Sequence, residues 1–359
     1  MTKSKLEELR QKIDTIDEKL LELLDERTGL AGDIYRAKQE AGITEAYNAE
    51  REISHLETLH KLGCENLTRD EIDKIFLQIF SIARSRQKDC KVCVFGEKHG
   101  WIDDSAMERF SNPASLCNVD NIEDFLVQTD SGNLGFACMT PQFNPDYALV
   151  LESLLSGKIS IVEEFNYTPD FCIVSNSARD LSEAHELCTT NEMLKLLRGY
   201  FLSMSFDLKI KICRSMYEVY ENLQSINPVA AILPANLVKE NKDLVMIREN
   251  LKSDLLVALS FMVFSKNQNT QFKPDMKASI LCATSDSSTK LWEMLAIMKS
   301  YNVSLFDLQS TGFENKPWSK LIKIDLATPN SKDELDRLII ELEKKSMLVK
   351  LCGIYPVYR

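Results

Sequence analysis

Proline is missing from the first 89 residues, basic runs are missing throughout, and no apolar stretch reaches the roughly 18 positions that a membrane-spanning helix needs. Each absence removes a class of function. With a formal net charge of -11 and no clustered lysine or arginine, the chain offers no footprint for nucleic acid or an anionic membrane surface. Its N-terminus reads as a charged helix rather than a signal peptide. The ten cysteines are scattered, and only Cys90 and Cys93 lie close together. That pair has no second pair and no histidine at ligand spacing, so neither a zinc site nor redox chemistry is expected. Internal repeats and low-complexity tracts are also lacking. What remains is a cytoplasmic protein with reduced thiols that works on small molecules or protein partners, with no metal and no cofactor expected.

At 44% hydrophobic residues the 359-residue chain can build two or three separate cores. Residues 1–89 carry a continuous helical pattern. A first helix spans Ser4 to Ala41 and stops at Gly42; a second runs from Asn48 to Gly63; a third opens with a Thr68/Glu71 capping box and continues to Gln87. On the first helix Leu6, Leu9, Ile13, Ile16, Leu20 and Leu23 step by threes and fours along one face, and Leu30 and Ile34 extend the stripe. Arg27 takes the next place in that series. Lys38, eleven residues on, projects almost in line with it, about 16 Å further along the axis, and Arg10 flanks the same seam near its start. Cations on a packing face need anionic partners, which nearby carboxylates or a bound molecule can supply. Three spaced cations, with Arg51 soon after, point to a pocket for a small molecule bearing several negative charges. A helix of this length outruns what two shorter helices can cover, so the rest of its stripe predicts an intertwined homodimer.

From Asp89 the texture changes. Strand-like runs at Lys91–Phe95, Gly135–Met139, Phe171–Val174, Ala230–Leu233 and Ala258–Phe264 alternate with helical stretches, which predicts an α/β domain with one mostly parallel sheet over residues 90–267. Asn267 to Lys277, polar and containing Pro274, reads as a linker. Residues 278–359 follow the order strand, helix, strand, strand, helix, strand of a ferredoxin-like βαββαβ unit.

Leu9-Arg10, Ile13, Ile16-Asp17, Leu20 to Leu24, Arg27, Leu30-Ala31, Arg36-Ala37-Lys38, Tyr47 to Glu52, Ile75-Phe76 and Gln87 together resemble the all-helical chorismate mutase family. The resemblance implies a role for each matching position. Arg10 of a partner chain, Arg27 and Arg51 hold the two carboxylates of chorismate; Lys38 and Gln87 contact its ether oxygen; Glu52, with the Asn48 backbone position, receives its hydroxyl. Rearrangement of chorismate to prephenate is intramolecular and pericyclic, so it needs no nucleophile, metal or proton shuttle, only a held conformer and donors aimed at the oxygen that gains charge. One departure is Ala83, where the family often has serine.

Residues 90–267 resemble prephenate dehydratase, a periplasmic-binding-protein-like α/β fold, in framework: Phe95-Gly96, Leu154-Leu155, Ile159 to Val162 with Glu164, and Phe261. The working motifs differ. The family's Gly-Pro-x-Gly loop ending in Ser-His reads Gly96-Glu97-Lys98-His99 and then Ile102-Asp103. Pro-Ile-Glu-Asn reads Met139-Thr140-Pro141-Gln142, Ser-His-Pro-Gln reads Thr189-Thr190-Asn191-Glu192, and Thr-Arg-Phe reads Leu259-Ser260-Phe261. A hydroxide leaves prephenate only when an acid protonates it, and leucine has no proton to give, so dehydratase activity is expected to be weak or lost. Residues 278–359 resemble an ACT regulatory domain through Lys316-Pro317-Trp318 and Gly353-Ile354-Tyr355-Pro356. Its phenylalanine-binding motifs read Thr289-Lys290-Leu291 and Gln309-Ser310-Thr311-Gly312 instead, which favours a scaffolding role. The whole reads as a mutase with altered appendages. A bifunctional enzyme, or a metabolite-binding regulator dimerised by its helices, are the alternatives, and the product made from chorismate separates them.

Overall fold

The computed structural model describes residues 2–41, 47–87, 91–96, 98, 100–111, 116–144, 146–203, 208–225, 227–241, 243–251, 259–266, 272–273, 276–285, 288–313 and 316–358. The chain divides into two compact units, Met1–Lys91 with Phe110–Ser115, and Val92–Arg109 with Leu116–Arg359.

The first unit holds three helices, α1 (Thr2–Glu40), α2 (Ala49–Leu62) and α3 (Arg69–Gln87). The expected stop at Gly42 lies outside the described residues. The Asn48 side chain accepts from the Arg51 N–H at 2.9 Å and so caps α2, while Gly63 closes it with φ at +69°, a left-handed value that favours glycine. At the start of α3 the Thr68 N–H donates to Glu71 Oε2 at 2.8 Å and the Glu71 N–H donates back to Thr68 Oγ1 at 3.3 Å, the reciprocal box the sequence predicts. α3 packs against both other helices and buries Ile72, Leu77 and Phe80, while α2 buries Leu56 and α1 buries Ala31. The rest of the α1 stripe is uncovered: Leu6, Leu9, Ile13, Ile16, Leu20 and Leu23 stay 49–62% exposed.

In the second unit, β1 (Val92–Phe95), α4 (Trp101–Phe110), β2 (Leu116–Val119), α5 (Ile122–Asp130), β3 (Leu134–Cys138), α6 (Tyr147–Leu155) and β4 (Ser160–Tyr167) build a first lobe. A second lobe follows from β5 (Phe171–Ser175), β6 (Glu186–Thr190), α7 (Asn191–Leu196), α8 (Arg198–Ser203), β7 (Lys209–Cys213), α9 (Met216–Asn222), β8 (Val229–Pro234), α10 (Ala235–Glu240) and β9 (Val245–Arg248), before β10 (Leu259–Ser265) returns to the first. The chain ends with β11 (Lys277–Thr284), α11 (Ser288–Ser300), β12 (Leu305–Gly312), β13 (Lys320–Ala327), α12 (Lys332–Glu343), β14 (Leu348–Tyr355) and β15 (Val357–Tyr358).

One mostly parallel sheet is not what forms. The two lobes have separate mixed sheets, ordered β15-β4-β10-β3-β1-β2 and β7-β6-β8-β5-β9. In the first, β1 runs parallel to β2 and β3, but β10 lies antiparallel between β3 and β4 because the chain comes back from the second lobe in the opposite direction. In the second, β6 is parallel to β7 and β8, whereas β5 is antiparallel to β8 and β9. The strands missed by pattern reading are those with polar or charged members, such as β4 with Glu163 and Glu164 and β7 with Lys209 and Lys211.

The four strands β12-β13-β11-β14 form an antiparallel sheet in the expected βαββαβ order. One face carries Ile280, Cys282, Ile322 and Ile324 against Met294 and Met298 of α11 and Leu335, Leu338 and Leu342 of α12. From the other face Leu281, Ala283, Leu321 and Tyr355 join the core of the first lobe beside Leu151 and Leu154. A Cβ on Gly353 would stand 2.1 Å from the Ile161 carbonyl oxygen, so only glycine permits this approach of β14 to β4. Lys277 does not belong to a solvated linker. It opens β11 almost fully buried, 2.5 Å from Glu164 and 3.4 Å from Asp325, and Lys323 and Ser279 complete the network at 2.5 Å from Asp325. Burial alone would lower the Lys277 ammonium, but Asp325 and Glu164 reverse this and hold it above its ordinary value. A second buried pair pins α4 to β4: the Arg109 guanidinium grips Glu163 with two bonds, at 2.6 and 2.8 Å, with neither side chain exposed.

Candidate functional site

The three helices of the first unit enclose a cavity of about 570 Å³, within the usual range for small-molecule sites. α1 contributes Arg27, Leu30, Ala31, Ile34 and Lys38; Asn48 and α2 contribute Arg51, Glu52 and His55; α3 contributes Phe80, Ala83 and Arg84. Five of the seven residues singled out in the sequence, Arg27, Lys38, Asn48, Arg51 and Glu52, therefore share one cavity. Helical periodicity is the cause: Arg27 and Lys38 come to the same side of α1, and Arg51, Glu52 and His55 occupy adjoining positions of the first turns of α2.

Arg10 is not among the lining residues. It is exposed on the uncovered part of α1, about 25 Å from Arg27 along the axis. Gln87 is the last residue of α3, one turn beyond Ala83, and its side chain lies outside the described residues.

Electrostatics in the cavity are dominated by cations. The Arg27 guanidinium sits 5.5 Å from the Phe80 ring centroid; burial pulls its pKa below the ordinary value and Glu52 pushes it back up. His55 packs edge-on against Phe76 and at a tilt against Phe80, and its imidazolium is disfavoured by burial and then by Arg27 and Arg51. Arg84 donates to Glu52 Oε1 at 2.5 Å with both side chains mostly buried. Pattern reading overlooked Arg84 and His55. Arg84 stands four residues after Phe80 on the inward face of α3, and that spacing was the available signal.

Such a cavity suits an anion with more than one carboxylate. Arginine forks match carboxylates, the Lys38 ammonium supplies a compact charge, and the Leu30, Ala31, Ile34 and Phe80 wall shapes an apolar body.

A second cavity, of about 600 Å³, opens between the two lobes of the second unit, lined by Pro141, Phe143, Thr190, Asn191, Glu192, Lys195, Ile212, Cys213 and Arg214. Thr190 caps α7 by accepting from the Met193 N–H at 3.3 Å, and Glu192 accepts from Trp101 Nε1 at 3.2 Å across the cleft. Leu259 begins β10 with 2% exposure, and the Ser260 carbonyl accepts from the Met139 N–H at 2.8 Å. Phe261 stacks on Phe136 with centroids 5.1 Å apart. His99 lies outside the described residues; Asp103 accepts from Asn118 Nδ2 at 2.9 Å. Burial raises the Cys93 thiol to about 12, and Cys90 is outside the described residues. Among the described residues no cluster of histidine, cysteine and carboxylate side chains could hold a metal ion, and no helix is long and apolar enough to cross a membrane.

Residues 9–88 match the model of the chorismate mutase type II family. Along 98% of its length the chain is 23% identical to a bifunctional chorismate mutase/prephenate dehydratase of Aquifex aeolicus (strain VF5), covering 98% of that protein. Among solved structures, prephenate dehydratase from Staphylococcus aureus subsp. aureus Mu50 superposes with a TM-score of 0.64 at 13% identity, covering 74% of this chain and 99% of that one. Prephenate dehydratase from Arthrobacter aurescens, solved in complex with L-Phe, gives 0.63 at 14% identity, covering 74% and 90%. At these identities the structural likenesses establish fold alone. The matched helical segment and the full-length alignment make the chain similar, end to end, to bifunctional chorismate mutase/prephenate dehydratases.

Proposed function

We propose that the helical unit is a chorismate mutase that converts chorismate to prephenate. The observation that carries this reading is the convergence of Arg27, Lys38 and Arg51 on one cavity beside Glu52 and Asn48. In this reading Arg27 and Arg51 clamp the substrate carboxylates and fold the molecule into its reactive conformer. Lys38, with Gln87, donates to the ether oxygen as the C–O bond breaks, so the cage stabilises charge that grows only in the transition state. Glu52 and the Asn48 backbone position take the ring hydroxyl.

The protein works as a cytoplasmic homodimer in this proposal. The uncovered α1 stripe finds its cover in a second copy, and Arg10 of that copy completes each cavity; on its own helix Arg10 is about 25 Å from Arg27. Residues 90–267 keep a dehydratase fold with weak or absent dehydratase activity, because the buried Leu259 stands where the family has its acid and Ser260 where it has arginine. Residues 278–359 form an ACT-like scaffold. Gln309, in place of a ligand-binding motif residue, is taken up by a hydrogen bond from the Tyr147 hydroxyl of α6.

A second reading keeps the dehydratase alive. Glu192 is the carboxylate in the lining of the interlobe cleft, beside Lys195 and Arg214, and would serve as a substitute acid. Purified protein supplied with chorismate separates the two. Prephenate accumulating alone supports the mutase with a silent dehydratase; phenylpyruvate above the acid-catalysed background, lost in Glu192→Gln, supports the second reading. Chorismate left unconsumed would overturn both.

A further inference from the structure

Resting on the mutase reading, we infer that Arg84 is a positioning residue for the reaction: it holds Glu52 as the acceptor of the substrate hydroxyl and so sets the preference for a hydroxylated substrate. Arg84 follows Ala83, the position where a substrate-binding hydroxyl has been lost, and it reaches across from α3 to α2. Its Nη1 donates to Glu52 Oε1 at 2.5 Å and its Nη2 to the Phe110 carbonyl at 3.3 Å. The guanidinium also lies over two rings, 5.8 Å from the Tyr47 centroid and 5.6 Å from that of Phe110. Carbonyl and rings together fix the guanidinium plane, which leaves the Arg84 fork little freedom to follow Glu52 if the carboxylate turns.

The carboxylate is therefore tethered at a defined place in the wall. An ionised carboxylate has about four acceptor sites, so a bond from Arg84 leaves capacity for a substrate hydroxyl. Without the tether, Glu52 sits close enough to Arg27 to interact with it, and swinging toward Arg27 would withdraw both groups from substrate. Arg84 acts against that collapse.

The test measures kcat and KM of the full chain with chorismate and with its analogue lacking the ring hydroxyl, for wild type, Arg84→Gln, Arg84→Lys and Glu52→Gln. Loss of a correctly held charged acceptor is expected to lower kcat/KM for chorismate by about 10- to 100-fold in Arg84→Gln. For the deoxy analogue the same variant should lose less than about threefold, since no hydroxyl remains to be read. Arg84→Lys should recover part of the loss, and adding Arg84→Gln to Glu52→Gln should cost little more than Glu52→Gln alone. Circular dichroism and melting of each variant identify misfolding; if Arg84→Gln does not fold, Arg84→Lys, which keeps the charge but not the fork, must show the same substrate-dependent loss in smaller measure. Equal losses on both substrates, or additive losses in the double variant, would overturn the proposal while leaving the mutase standing. A wild-type protein that leaves chorismate untouched would overturn the mutase reading and this one with it.

Discussion

The helical cavity and the interlobe cleft are nearly equal in volume, about 570 and 600 Å³, yet the function proposed above assigns a working reaction only to the first. A pericyclic rearrangement asks for shape and fixed positive charge, and both come from three helices whose periodicity aligns Arg27, Lys38 and Arg51. Elimination of hydroxide asks for a donor proton at one defined place, and the reading proposed above puts the buried Leu259 there. In that reading framework and chemistry separate readily: Phe261 stacks on Phe136 in the core of the first lobe, two residues from Leu259.

The largest effect is expected from Lys38→Ala. It should lower mutase kcat by at least about 10²- to 10³-fold, the usual cost of one preorganised electrostatic donor, with mass and melting temperature unchanged. A variant retaining more than about a third of wild-type turnover would leave the helical cavity no better assigned than the cleft. Next in size is the paired change Ile16→Asp with Leu20→Asp, which puts charge into the uncovered stripe of α1. Light scattering should then report the mass of one 40.9 kDa chain, and turnover should fall by about tenfold or more as Arg10 is withdrawn. A dimer with full activity would remove the stripe from the site.

A smaller effect is expected from a change at the start of β10. Leu259→Thr with Ser260→Arg should raise phenylpyruvate formation by less than the roughly 10²- to 10⁴-fold that a placed general acid supplies, since three other motifs remain changed. A full-sized rise would mean that this dipeptide alone had silenced the lobe. The smallest effect is on pH dependence. His55 is held below its ordinary pKa by burial and by Arg27 and Arg51, so as pH falls below about 6.5 the unfolded chain takes up a proton that the folded unit refuses. Stability is thus level above that pH and declines beneath it. Calorimetry should show a shallower acid decline for His55→Gln than for wild type; parallel curves would remove His55 from the account.

What could be read from the chain alone was whatever repeats at helical spacing. Arg27 stood out because it interrupts an apolar series, and the Thr68/Glu71 box and the Asn48 and Gly63 caps follow from local chemistry. Groups whose meaning lies in distant partners were invisible. Arg84 precedes Ser85, Arg86 and Gln87 and looks like part of a solvated helix end until Glu52, 32 residues away, is seen beside it. Arg109 and Glu163 stand 54 residues apart with nothing local to pair them, and are wholly buried. Lys277 passed for linker because a lysine between Pro274 and the apolar run from Ala278 reads as solvated until Glu164 and Asp325, distant in sequence, are seen beside it. The antiparallel entry of β10 could not be read locally either, since it depends on where the second lobe hands the chain back.

That entry bears on synthesis. β3 and β4 are made long before β10 arrives to fill the space between them, and residues 168–258 must emerge first. Until then each presents an open edge able to pair with a neighbouring nascent chain, and the long loop that must close makes the step slow. The order of manufacture thus leaves the first lobe unfinished, and most prone to aggregate, for as long as its second lobe is being translated.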